Sequence, residues 1–87
     1  MNANEARKLT FDATESIISD LIYSLMEKVK SNAQKGLFQA EIEIYNKIPF
    51  IMTITDSLIQ HFENLGYAVS VDELDTTVKI TVSWWEE

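Results

Sequence analysis

Between residues 12 and 35 the chain has neither glycine nor proline, and its apolar residues keep one repeated spacing. Ile17, Ile18, Leu21, Ile22, Leu25, Met26 and Val29 recur three and four positions apart, which predicts a long amphipathic helix. About 24 residues at 1.5 Å each make a rod of ~36 Å. Three strands spaced ~4.8 Å apart cover only ~10–15 Å. The apolar arc also spans roughly 180° of the helical wheel, more than one small sheet requires. Either a second copy of the chain covers part of it, or a sheet and a second helix share it.

Asp12 and Glu15 have the spacing of a capping box, which places the helix start at residue 12. The helix formers from Ala3 to Lys8, with Phe11 on the apolar face, allow a start near residue 3 instead. Leu9-Thr10-Phe11 is then a kink or break, and residues 1–11 are an arm or a helix extension. Gly36 occupies the place of a left-handed C-terminal cap.

Phe38, Ala40, Ile42 and Ile44 alternate with Gln39, Glu41, Glu43 and Tyr45, the period of a half-buried strand. Pro49 suits the first turn of a second helix, whose stripe is Ile51, Ile54, Leu58, Phe62 and Leu65. Gly66 ends it as Gly36 ends the first. Tyr67, Val69 and Val71 mark the inner face of a second strand, and residues 77–85 form the third. The last two strands form a hairpin, while the first and second run parallel through a right-handed crossover. The expected architecture is α+β: a long N-terminal helix followed by β-α-β-β. Its three-stranded mixed sheet, of order 1-3-2 with the most apolar strand central, packs on two helices. One domain spans residues 1–87, with no linker, internal repeat or low-complexity segment.

With 14 acids against 7 bases the net charge is −7, which opposes binding to DNA, RNA or anionic lipid. No apolar run approaches the ~20 residues of a membrane span. The N-terminal stretch has no apolar core of a signal peptide, and cysteine is absent. A soluble, cytoplasmic protein without membrane contact is expected.

No glycine-rich phosphate loop is available, because Gly36 and Gly66 both end helices. One histidine, His61, and no cysteine leave no zinc set and no Cys/His nucleophile pair within one chain. His61 lies beside the apolar stripe and reads as a partly exposed surface residue. Glu41 and Glu43 share the outer face of the first strand, and Asp72, Glu73 and Asp75 cluster in the hairpin. Both groups read as solvated acids, with Lys79 pairing with Glu41 or Glu43. Lys28, Lys30 and Lys35 suit the C-terminal end of the helix dipole. No catalytic residue, metal site or cofactor is assigned, and the chain is read as a non-enzyme.

The chain's last aromatic pair divides by strand parity. Trp84 continues the inward row of Val78, Ile80 and Val82, whereas Trp85 shares the outward row of Lys79, Thr81 and Ser83. Tyr45 also faces outward. Exposed aromatics of this kind suit base stacking or a protein interface. Arg7 is the only arginine, and with Lys8 and Lys47 it supplies positive charge for an anion. The candidate ligand-binding residues are therefore Trp85, Tyr45, Arg7, Lys8 and Lys47.

Three stretches carry a resemblance: Lys35-Gly36 before a strand, Leu65-Gly66-Tyr67-Ala68-Val69 between helix and strand, and Ile80-Thr81-Val82-Ser83-Trp84 near the C-terminus. The layout of residues 33–85 resembles small tailed-bacteriophage proteins whose C-terminal hairpin ends in an Ile-x-Ile-Ser-Trp-like motif. This chain departs from them by adding Trp85-Glu86-Glu87. The resemblance implies a phage-encoded protein in the host cytoplasm. It also implies an oligomeric sponge that sequesters a nucleotide signal of bacterial defence. The alternative is a protein–protein interaction module, either a phage structural accessory or an acidic inhibitor of a host protein. Either way a homo-oligomer is expected, with a small nucleotide or a host protein as partner.

Overall fold

The computed structural model describes residues 1–85. Five elements follow in chain order: α1 (Ala3–Gln34), β1 (Gln39–Tyr45), α2 (Ile51–Asn64), β2 (Ala68–Glu73) and β3 (Thr77–Ser83). The α+β class and the order β1-β3-β2 are as expected. The sheet is not mixed, however. β3 lies between the other two and pairs antiparallel with both, so β1 and β2 point the same way without touching.

α1 begins at the earlier of the two expected sites. Asn2 is the N-cap, and its Oδ1 accepts the Glu5 N–H at 2.9 Å. The expected start at Asp12 and the break at Leu9-Thr10-Phe11 are both corrected. The helix runs through with no glycine or proline to interrupt it, and Thr10 and Thr14 return their hydroxyls to its own backbone, on the carbonyls of Ala6 (3.0 Å) and Thr10 (2.8 Å). That bond satisfies Thr14, which is buried. The wide apolar arc is largely absorbed inside one protomer. Leu25 and Val29 are buried, while Ile18, Leu21, Ile22 and Met26 pack against the core. Lys28 and Lys30 lie upstream of the last turn, which carries no base.

Both helices end in the same motif. Gly36 (φ +82°) and Gly66 (φ +97°) take left-handed backbone. In α1 the Leu37 N–H reaches the Asn32 carbonyl (2.9 Å) and the Gly36 N–H reaches Ala33 (3.0 Å). In α2 the Tyr67 N–H reaches Phe62 (3.1 Å) and the Gly66 N–H reaches Glu63 (3.0 Å). The α2 motif is closed by an edge-on contact of Phe62 with Tyr67, ring centroids 5.6 Å apart.

The core lies between one sheet face and the two helices. Leu25 of α1, Ile54, Leu58 and Phe62 of α2, and Ile80 and Val82 of β3 are its fully buried members. Ala40, Ile42 and Ile44 complete it from β1. Three expectations about its rim are corrected. Phe38 is 47% exposed rather than inward, because β1 starts one residue later. Leu65 is exposed, because α2 stops at Asn64 and Leu65 is its C-cap. Pro49 does not open α2; Phe50 is the N-cap, with φ +60°.

Phe62→Ala removes a fully buried ring and is expected to cost about 3–5 kcal/mol in urea unfolding. Gly66→Ala has open space for its Cβ, so its expected cost of about 1–2 kcal/mol is backbone strain alone. Equal losses from the two variants would contradict this division.

Candidate functional site

The candidate residues fall at two ends of the molecule. Trp85 stands just beyond β3, whose strand ends at Ser83. The Trp84 N–H donates to the Phe38 carbonyl at 3.0 Å, which carries the ladder one pair further. This fastens Phe38 beside Trp85, and the two rings meet edge to face with centroids 4.7 Å apart. Trp85 is 62% exposed. Trp84 turns the other way, half-buried and edge-on to Tyr67 at 6.0 Å. The opposite orientations expected of the tryptophans therefore hold, although both lie past the strand.

Phe38 and Trp85 flank an open recess of about 550 Å³, with Asn32, Gln39, Glu41 and Ser83 on its walls. Asn32 Nδ2 donates to the Gln39 carbonyl (2.9 Å), and Lys28 Nζ donates to that of Glu41 (3.1 Å). Both bonds tie α1 to the outer edge of β1. Asn32 was not singled out in the sequence, since a polar residue in a helix's last turn carries no pattern of its own.

Tyr45 lies at the other end of the sheet. It pairs with Thr77, whereas Gln39 pairs with Ser83, so Tyr45 and Trp85 are separated by roughly 25 Å of strand. Lys47 follows Tyr45 in the turn after β1. Arg7 and Lys8 are on the N-terminal part of α1, and Arg7 Nη1 donates to Asn4 Oδ1 at 2.6 Å. One protomer thus brings Tyr45 and Lys47 to the same end of the sheet, but it does not bring the three bases to the Trp85 recess.

Near that second end is a feature the sequence reading missed. Phe50 is the only non-glycine residue with positive φ among those described. Its ring lies 5.6 Å from that of Phe11 on α1. Leu9, Phe11, Ile17, Phe50 and Met52 are all exposed. Thr14 and Ile17 of α1 border a second recess, of about 360 Å³, with Ile48 and Pro49. The signal available was an aromatic residue straight after proline, where a capping side chain is usual.

On the outer sheet face Lys79 Nζ lies between Glu41 (3.8 Å) and Asp72 (4.0 Å), linking all three strands. These are half-exposed groups, so each contact contributes at most about 1 kcal/mol. His61 is half-buried, with its ring 5.3 Å from Phe62. Among the described residues no three of His, Cys, Asp and Glu converge on a point, and no helix is long and apolar enough to cross a membrane.

No family model, no curated protein and no solved structure matches this chain.

The two tryptophans give a direct check. Trp84→Phe, which leaves Trp85 as the sole indole, is expected to be quenched by acrylamide more strongly than Trp85→Phe. Trp85→Ala is expected to cost no more than about 1.5 kcal/mol, the scale of one edge-to-face contact. Equal quenching of both variants would contradict the assigned orientations.

Proposed function

We propose that this chain is a non-enzymatic protein–protein interaction module that assembles with its own copies through the N-terminal half of α1. The observation that carries this reading is the overhang of that helix. Its 32 residues make a rod of about 48 Å, against roughly 24 Å for the seven residues of β1. The molecule measures 53 × 25 × 19 Å with a radius of gyration of 14.6 Å, where a compact chain of this length has about 12 Å. The surplus segment is not a polar tail, because Leu9, Phe11 and Ile17 remain exposed on it.

Charge favours a particular arrangement. Arg7 and Lys8, with Glu5 in the turn before them, precede Asp12, Glu15 and Asp20 on the same helix. In an antiparallel pair the basic turn of each helix runs beside the acidic stretch of the other. Leu9, Ala13 and Ile17 share one face of the helix and form the centre, and their burial drives association; Phe11, on the other side, is turned to Phe50. This gives Arg7 and Lys8 a role that does not require a nucleotide.

A second reading, an oligomeric phage-type sponge for a nucleotide defence signal, is favoured by the Phe38–Trp85 corner. An exposed indole beside a recess with uncharged polar walls suits a stacked base. Lys28, held on the Glu41 carbonyl at 3.1 Å, stands beside the recess, while Arg7, Lys8 and Lys47 would have to come from another subunit.

Sedimentation velocity at tens of micromolar is expected to show a dimer or larger species. Leu9→Glu and Ile17→Glu should each shift it to monomer with an unchanged circular dichroism spectrum, and the unfolding temperature should lose its dependence on protein concentration. A wild-type monomer would sink the assembly. A thermal shift with cyclic dinucleotides or ADP-ribose that Trp85→Ala abolishes would instead establish the second reading.

A further inference from the structure

The two edges of the sheet are treated differently. On β3 the even-numbered residues bond to β1, as the Trp84–Phe38 and Asn46–Thr76 backbone bonds (3.0 and 2.9 Å) indicate. The odd-numbered ones bond to β2, as in Leu74 N–H to the Thr77 carbonyl at 2.8 Å. By this alternation Gln39, Glu41, Glu43 and Tyr45 turn their backbone groups to the outside of β1, and Asn32 and Lys28 take the carbonyls of the first two. On β2 the outward groups belong to Val69, Val71 and Glu73. Among the described residues no hydrogen bond reaches them. β2 has no proline or lysine to protect this edge.

A groove of about 560 Å³ lies at the Glu73 end of the same edge and extends past Val78 to Asn46 and Lys47. Met52, Thr55, Asp56 and Ile59 of α2 line one side, and Val71 and Glu73 of β2 line the other. The four α2 residues follow helical i, i+3, i+4 and i+7 spacing, so they form one ridge facing the strand.

We propose that an extended basic peptide of a partner protein adds to β2 as a fourth strand, laying its alternate side chains into this groove. The proposal rests on the interaction-module reading but uses a different face from the α1 overhang. In antiparallel pairing the side chain directly opposite Val71 meets the groove beside Thr55 and Ile59, and the one opposite Val69 continues the same inward row. Apolar residues belong at those two positions. The position opposite Glu73 comes two residues earlier in the peptide and lies at the end where Asp56 and Asp75 also border the groove. Lysine or arginine belongs there. The next residue faces the exposed Asp72 on the outer side and favours a second base. The recognised pattern is therefore basic–basic–apolar–polar–apolar.

Charge selects this occupant over a second copy. β2 carries Asp72 and Glu73 and no base, so pairing two copies would set four carboxylates along one ladder. The groove's lining holds one base, Lys47, and three acids, Asp56, Glu73 and Asp75. A chain of net charge −7 attracts a basic partner at long range as well.

The test uses fluorescein-labelled Gly-Lys-Lys-Ile-Thr-Val-Gly and fluorescence anisotropy with the whole protein. Binding with a Kd below about 100 μM is expected. Methylating the isoleucine backbone nitrogen removes the donor aimed at β2 and should weaken binding at least about tenfold. This arm leaves the protein unchanged. Val71→Pro removes an outward N–H without breaking the β3 ladder and should do the same with an unaltered circular dichroism spectrum. Asp56→Lys should weaken binding up to about fivefold. Leu9→Glu should leave it intact, so failure of α1-mediated assembly would not imply failure of the groove. No binding at millimolar peptide, equal binding of the N-methyl peptide, or loss of binding with Leu9→Glu would each overturn the proposal. So would a wild-type dimer that Val71→Pro dissociates, since a second copy would then hold the edge.

Discussion

Val78, Ile80 and Val82 on the central strand are the contact on which the rest depends. Among the described residues β3 is the only strand with both ladders filled, and its inward row lies beneath the helices. A three-stranded sheet is too small to hide its own face, so this row stays buried only if α1 and α2 both lie on it. Their joint placement sets the chain path. α1 returns along β1, and α2 carries the chain over the sheet so that β2 enters on the far side of β3. The outer face is left to polar residues, as an antiparallel sheet allows. Lys79 holds its centre between two acids.

Where sequence and structure agree, one periodicity sufficed. The inward rows of β1 and β3, the Ile54–Leu58–Phe62 stripe and both glycine-ended helices were legible because burial follows spacing of two or 3.6 residues. Misreadings occurred where two signals competed. At Asp12 a capping-box spacing suggested a start, but Asn2 satisfies the same need ten residues earlier, and the threonine hydroxyls turn inward to the helix. Phe38 fitted the inward alternation, yet it lies before the strand and meets Trp85 instead. The order 1-3-2 and the common direction of β1 and β2 were legible, but a mixed sheet does not follow from them, because with β3 between the two both contacts are antiparallel. Of the candidate ligand residues, parity gave Trp85 and Tyr45 their exposure. It could not give their separation, which is a property of register along the whole strand.

The contrast between the sheet edges is a matter of helix length as well as of sequence. α1 is long enough to reach the start of β1 with its C-terminal turns, so Lys28 and Asn32 arrive beside the carbonyls of that edge. α2 has 14 residues and is followed at once by β2. It covers the inner face of β2 without reaching around its edge. A free strand edge normally carries a lysine, a proline or a bulge against unwanted pairing. Here the protection is acidic, from Asp72 and Glu73, which repels a copy of the same strand and admits one of opposite charge. One surface thus combines open backbone, an apolar floor and a charge filter.

Phe50 connects this side of the molecule to the overhang of α1. A bulky residue in left-handed backbone costs about 1–2 kcal/mol, and glycine or asparagine at that position would avoid it. The Phe50 carbonyl begins α2 by accepting the Ile54 N–H at 2.9 Å. Its ring, turned outward by the same dihedral, meets Phe11. An aromatic contact contributes about 0.5–1.5 kcal/mol beyond the area it buries, which is enough to offset most of the backbone cost. The pair ties the extension of α1 to the first turn of α2 without hiding either ring, since Phe11 and Phe50 stay 57% and 43% exposed. An arm that merely filled space would bury its aromatics; this one is held by Phe11 on one face while Leu9 and Ile17 stay open on another.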